Sequence, residues 1–274
     1  MDEVPATGLG RSGPGRPLPA SPLPPGTTRL AAGDPANVGE FLVLARFSSG
    51  EAASAYLARA PGGALVVVKL ARTQPAGGNR LRRNFIDAAG VRLPTRYAAR
   101  VLSRGSHEGR AYLVREYVDG MTLAELVAED GRLDRVTLNA VAVATAAALT
   151  AVHDTDEVHG NLKPTNVMVT LAGVRLLDHG LARRSGQPRP DPADDVLGWG
   201  RLLAFAGTGR LLATPAAEAS LDVGVLDKPI GPLVERALAA DPLARPAARA
   251  VLLGLVCQST ETGGTAAPRW RRRR

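Results

Sequence analysis

The sequence predicts an α+β fold, on two observations. Short apolar runs at Phe41–Phe47, Ala53–Ala60 and Ala64–Leu70 are separated by Ser48-Ser49-Gly50 and Pro61-Gly62-Gly63, the pattern of consecutive strands joined by turns. Later in the chain, Leu133–His153 is rich in Ala and carries apolar residues at helical spacing, which reads as a buried helix.

The composition fits a soluble globular protein. The chain has 274 residues, 45% hydrophobic and 22% charged, enough for one large domain or two joined lobes. Aromatics are only 4%, so Leu, Val and Ala must fill the core. A single cysteine, Cys257, excludes an internal disulfide and a multi-cysteine zinc site. The N-terminus carries Asp2 and Glu3 and then turns Pro/Gly-rich, unlike a signal peptide, and the longest apolar run, Ala140–Val152, is short for a bilayer span. A cytoplasmic protein is expected. The net charge of +8 comes largely from Arg269 and Arg271–Arg274. Lysine occurs only at positions 69, 163 and 228 in a chain that otherwise uses Arg, which suggests a compact ammonium is needed at those points.

Taken in order, residues 1–38 are rich in Pro, Gly, Ala and Ser with no apolar period, and read as disordered. The three strands follow and end in Val66-Val67-Val68-Lys69. Residues 80–93 can form a helix containing Phe85-Ile86-Asp87-Ala88. The run Ala111–Leu126 reads as a strand, a connector at Glu116-Tyr117-Val118, and the start of a helix. After the long helix come His159-Gly160-Asn161-Leu162-Lys163-Pro164-Thr165-Asn166 and a hairpin of Val167–Thr170 and Val174–Leu177, delivering Asp178-His179-Gly180. Asp195-Val196-Leu197-Gly198-Trp199-Gly200 opens another helix, and Asp241-Pro242-Leu243-Ala244-Arg245-Pro246 lies near the end.

This succession resembles the eukaryotic-type, bacterial Ser/Thr protein kinase family in a degenerate form. The resemblance implies a two-lobed fold: a β-rich small lobe at 39–115, a larger helical lobe at 116–256, and a flexible Arg-rich tail at 257–274. It assigns Ser48, Gly50, Ala55, Val67, Lys69, Arg115, Glu116, Val118 and Met168 to the nucleotide site. Lys69 would neutralise phosphates, and the backbone of Glu116 and Val118 would meet the adenine edge. Asn166 and Asp178 are the implied metal ligands, oxygen donors suited to Mg²⁺. Lys163 and Asn161 fall at catalytic positions, and ATP and Mg²⁺ are the implied cofactors.

Several positions depart from the family pattern. Asn161 stands where the family has its catalytic Asp, and an amide cannot take a proton from a substrate hydroxyl as a carboxylate does. Only Gly50 survives of the three phosphate-loop glycines. Ala88 takes the place of the helix Glu that pairs with the strand lysine. Arg115 occupies the usually apolar gatekeeper position, where its guanidinium must find Asp87 or Asp178 or else project into the pocket. Only 14 residues, Leu181–Asp194, separate the metal-binding turn from the next helix, with no substrate-platform motif and Ser185 as the sole evident phosphosite. Arg245 lacks its usual Glu and is left to cap carbonyls or bind Asp194. The expectation is a pseudokinase, a regulatory or scaffold module with weak or no nucleotide binding, whose partner is another protein such as a signalling partner or kinase. The alternative is an active Ser/Thr or small-molecule phosphotransferase. For Arg269–Arg274, nucleic acid or an anionic membrane is the second partner class.

Overall fold

The computed structural model describes residues 23–49, 53–72, 96–179, 191–211 and 220–259. The candidate helix over 80–93, Gly50, Gly180, Ser185 and the Arg269–Arg274 tail lie outside the described residues.

Strands dominate the first part: β1 (Asn37–Val38), β2 (Phe41–Ser49), β3 (Ala53–Arg59), β4 (Leu65–Ala71), β5 (Val101–His107) and β6 (Arg110–Glu116). They pair antiparallel in one six-stranded sheet, ordered β1-β2-β3-β4-β6-β5. Side chains alternate across a strand, so the register sorts this sheet into two faces. Val66 and Val68 of β4 lie opposite Ala58 and Tyr56 of β3, and Val68 also opposite Val114 of β6. With Val38, Phe41, Val43 and Leu70 they form the small-lobe core. The alternate residues, Val67 and Lys69, lie opposite Leu57 and Ala55 on one side and Arg115 and Leu113 on the other. The sheet period therefore gathers Ala55, Val67, Lys69 and Arg115 on the opposite face.

The disorder expected over residues 1–38 does not hold for residues 23–38. Thr28 bridges Arg46 of β2 through two backbone hydrogen bonds of 2.7 and 2.9 Å. Asp34 accepts from the Ala31 N–H at 2.7 Å and the Tyr56 hydroxyl at 2.9 Å, and pairs with Arg46. These long-range polar contacts, with the burial of Val38 in the small-lobe core, order the segment.

The large lobe begins with the short strand β7 (Met121–Thr122) and helix α1 (Leu123–Asp130). Thr122 and Glu125 cap α1 reciprocally: Thr122 Oγ1 accepts from the Glu125 N–H at 3.1 Å, and Glu125 Oε2 accepts from the Thr122 N–H at 2.7 Å. Helix α2 (Arg135–His153) starts at Asp134, whose Oδ1 accepts from the Thr137 N–H at 2.9 Å. It is long and apolar enough in composition to cross a membrane, and here it packs against α3 (Pro192–Thr208) and α5 (Ala248–Ser259) at the lobe's centre. Trp199 of α3 is 1% exposed and donates its indole N–H to Thr145 Oγ1 of α2 at 3.1 Å, satisfying the polar group that burial of a Trp brings inside. Helix α4 (Ile230–Ala237) completes the core. Helix α5 continues through Ser259, so the expected tail boundary at 257 falls inside it.

Strands β8 (Val167–Thr170) and β9 (Gly173–Leu176) form the expected hairpin and join β7 in a three-stranded sheet. Backbone bonds from Ala99 N–H to Leu176 O, 2.9 Å, and from Leu176 N–H to Tyr97 O, 2.7 Å, tie β9 to the chain entering β5. The turn after β9 is thereby fixed beneath the sheet face that carries Lys69 and Arg115.

Candidate active site

The segment His159–Asn166 is built on Asp195, in the first turn of α3 and 1% exposed. Its carboxylate accepts from the N–H groups of His159 and Gly160, each at 2.8 Å, and contacts His153 Nε2 at 2.9 Å. Gly160 has φ 68°, a left-handed conformation that glycine takes without strain. The loop lies close on α3 because Gly198 has no side chain: a Cβ there would meet the Leu162 Cβ at 3.1 Å and the Leu162 carbonyl at 3.2 Å.

His159 is fully buried. Its Nε2 lies 3.0 Å from the Leu177 carbonyl and its Nδ1 is 3.2 Å from the Asn161 N–H. A carbonyl only accepts and an amide N–H only donates, so the two neighbours select the neutral tautomer with the proton on Nε2. Burial lowers the imidazole pKa, and nearby Asp195 and the Leu177 carbonyl oppose that shift without reversing it. This histidine braces the loop.

Asn161, at the base position, uses its side chain as a donor: Nδ2 points to the Asp178 carbonyl at 3.4 Å. Its own carbonyl accepts from Asn166 Nδ2 at 2.8 Å. Asn166 is 3% exposed and fixed further by its N–H to Lys163 O and its carbonyl to Leu177 N–H, both 2.8 Å. Lys163 precedes the short 3-10 turn Pro164–Asn166 and is solvent-exposed.

Asp178 has φ 61°, a left-handed conformation uncommon for a residue with a side chain. Its Oδ2 pairs with Lys69 Nζ, and its Oδ1 lies 3.6 Å from Arg115 Nε. Burial pushes this carboxyl up, but Lys69 and Arg115 outweigh it and leave the pKa below the ordinary carboxylate value. The same burial lowers the pKa of Arg115, opposed by Asp178 and Glu116. Of the two carboxylates named in the sequence reading, the structure brings Asp178 to Arg115, and Asp87 lies outside the described residues.

At the connector between the lobes, Arg115 Nη1 also donates to the Glu116 carbonyl at 3.4 Å. The Glu116 N–H is bonded to Arg100 O at 2.9 Å. The Glu116 side chain pairs with Arg175 of β9 and lies 3.6 Å from Arg100 Nε. Arg175 Nη2 reaches Ala98 O at 3.0 Å, so one guanidinium fastens the connector to the large lobe. Phe47 of β2 stacks on Tyr117 with ring centroids 6.5 Å apart and an interplanar angle of 25°. Burial and the neighbouring Asp119 push the Tyr117 hydroxyl up to about 12. Val118 and Met168 bury together with Ala99 and Leu177. Val67 is 1% exposed, and Ala55, on the same sheet face, 8%. Ser48 lies opposite Ala55 in β2. Phe47 and Arg175 were not singled out from the sequence, and Tyr117 only as part of the connector; the Phe47–Tyr117 contact joins residues 70 apart in the chain.

The residues do not fit a resident Mg²⁺ in this arrangement. A hard divalent ion needs oxygen donors whose charge is available to it. Both oxygens of Asp178 already face cations, so the one charged donor of the implied pair is taken, while Asn166, anchored by its amide N–H to the Asn161 carbonyl, has only a neutral oxygen to offer.

Arg245 takes both roles left open by the sequence. It donates to the carbonyls of Ala239 at 2.9 Å, Ala193 at 3.2 Å and Ala240 at 3.3 Å, and its Nη1 is 3.4 Å from Asp194 Oδ1.

Comparison with known proteins agrees with this architecture. The protein kinase domain profile matches residues 48–201. A probable serine/threonine-protein kinase, PkwA, of Thermomonospora curvata is 30% identical over 207 residues, covering 66% of this chain and 28% of that protein. The serine/threonine-protein kinase AfsK of Streptomyces coelicolor is 30% identical over 209 residues, covering 66% of this chain and 26% of the relative. The chain thus spans about a quarter of the length of these relatives. The crystal structure of Rad53 1-466 in complex with AMP-PNP shares the fold at a TM-score of 0.63 and 19% identity, covering 78% of this chain and 64% of that one. The strand-rich small lobe, the helical large lobe and these matches together place the chain in the protein kinase family, beside bacterial serine/threonine-protein kinases.

Proposed function

We propose that this chain is a pseudokinase module that acts by binding another protein and transfers no phosphate. The observation that carries the reading is Asn161: at the position of the catalytic base it presents an N–H donor to the Asp178 carbonyl, 3.4 Å away, where the chemistry needs a proton acceptor. A positioned base contributes about 10² to 10⁴ in rate, so its loss alone would leave residual turnover in an otherwise equipped site. Here the pairing of Asp178 with Lys69 and Arg115 adds a second obstacle. ATP and Mg²⁺, the expected cofactors of the family, are on this reading held weakly or not at all.

The alternative, an active phosphotransferase with relaxed requirements, draws support from the retained Lys69 and the buried Asn166, since positioning and electrostatics dominate phosphoryl transfer.

The test is incubation of the full chain with γ-labelled ATP, Mg²⁺ and a general protein acceptor, beside Asn166→Ala. No label above the Asn166→Ala background is expected. Robust labelling by the wild type that Asn166→Ala abolishes overturns the proposal.

A further inference from the structure

Resting on the pseudokinase reading, we infer that Arg115 is a built-in counter-cation that takes the place of a divalent metal at Asp178 and makes the pocket insensitive to Mg²⁺. The position follows from the sheet. Arg115 lies opposite Val67 in the β4–β6 register, on the face that carries Lys69, so its side chain runs toward the turn after β9. There its Nε lies 3.6 Å from Asp178 Oδ1 while Lys69 holds Oδ2. The guanidinium is 9% exposed as a residue, so its charge needs an anionic partner close by, and Asp178 supplies it.

Geometry and charge then act against a metal. Mg²⁺ binds oxygen at about 2.0–2.1 Å with near-ideal octahedral geometry and keeps much of its water. An ion at that distance from Asp178 Oδ1 would share the carboxylate with the Arg115 Nε, already 3.6 Å from the same oxygen, and like charges this close repel strongly in a buried site. Two cations facing one carboxylate also leave a net positive charge that suits a phosphate group directly, with no metal as intermediary. Among the described residues neither Arg115 Nε nor Asp178 Oδ1 has a hydrogen-bond partner. Charge, and not a directional bond, holds the pair, so a neutral side chain at 115 would release Oδ1 for a metal. The same guanidinium touches the Glu116 carbonyl through Nη1 at 3.4 Å, so one group contacts both the connector and Asp178.

The experiment is thermal denaturation of the full chain with ATP, in Mg²⁺ and in EDTA, for the wild type, Arg115→Met and Arg115→Leu. The wild type is expected to respond identically to ATP in both buffers. At least one variant is expected to gain a Mg²⁺-dependent rise in Tm of about 3–6 °C, as ligand at about tenfold its Kd gives in a domain of this size. A wild-type ATP response that requires Mg²⁺ overturns the inference, and so does failure to obtain a folded variant with a Mg²⁺-dependent response. The two ideas fail separately. Phosphate transfer by the wild type overturns the pseudokinase reading whatever the thermal data show, whereas Mg²⁺-dependent binding without transfer overturns only the role given to Arg115.

Discussion

Arg115 Nε lies 3.6 Å from Asp178 Oδ1, across the cleft between strand β6 and the turn after β9. With the Lys69–Asp178 pair it ties the small lobe to the large one through a single carboxylate. Removing one partner of a buried charge group leaves the others uncompensated, at a cost of about 3–5 kcal/mol. Asp178→Ala is therefore expected to destabilise the fold by that amount, and adding Arg115→Met to it is expected to recover part of the loss. Urea denaturation of the two single variants and the double variant measures the coupling; additive effects would show that the pair does not interact.

Asp195 holds the catalytic loop independently of any ligand. It accepts from two backbone N–H groups at 2.8 Å and contacts His153 at 2.9 Å while 1% exposed. Asp195→Ala leaves buried donors without a partner and is expected to cost about 3–5 kcal/mol. Hydrogen exchange at the His159 and Gly160 amides should accelerate selectively, and unchanged protection there would count against this role.

His159 gives the fold a pH dependence of definite sign. Its folded pKa lies below the ordinary histidine value of 6.5, chiefly through burial. Below pH 6.5 the unfolded chain therefore binds a proton that the folded chain resists, and stability falls as the pH drops toward the folded pKa. The pH profile of Tm should slope downward from about pH 6.5 toward pH 5, and His159→Asn should flatten it. A slope that survives the substitution assigns the effect elsewhere.

Asp34 fixes the N-terminal segment to the small lobe through Arg46, Tyr56 and the Ala31 N–H. Burial raises its pKa, but the Ala31, Arg46 and Tyr56 contacts outweigh that and lower it overall. The stability it contributes is present above the unfolded carboxylate pKa and lost as pH falls through the folded one. Asp34→Asn is expected to lower Tm by about 2–4 °C at pH 7, from the loss of charge-assisted hydrogen bonds, and to narrow the gap from wild type below pH 4. Differential scanning calorimetry at the two pH values checks both expectations.

The strands β2 to β4 were legible in the sequence because their apolar runs are bounded by Ser-Ser-Gly and Pro-Gly-Gly, and α2 because its apolar period spans 19 residues. Strand β5 was not, since Val-Leu-Ser-Arg-Gly-Ser-His has no apolar alternation. It is an edge strand defined by its pairing with β6. The fold of residues 23–38 was hidden for the same reason: Asp34 and Thr28 find their partners in β2 and β3, not nearby in the chain. At the site, the identity of Asn161 could be read directly, but its action as a donor to the Asp178 carbonyl could not. The sequence narrowed Arg115 to two carboxylates, and the sheet register together with the β9 turn brought it to Asp178.

The most direct test of a kinase fold without phosphotransfer is the rate of ATP consumption, followed by phosphorus NMR with a protein acceptor, in the wild type beside Asn161→Asp. The account predicts that both stay at the uncatalysed rate, because restoring the carboxylate leaves Asp178 paired with Lys69 and Arg115. Turnover by the wild type would contradict it outright, and a gain of about 10² to 10⁴ in Asn161→Asp would show that the base was the only part missing.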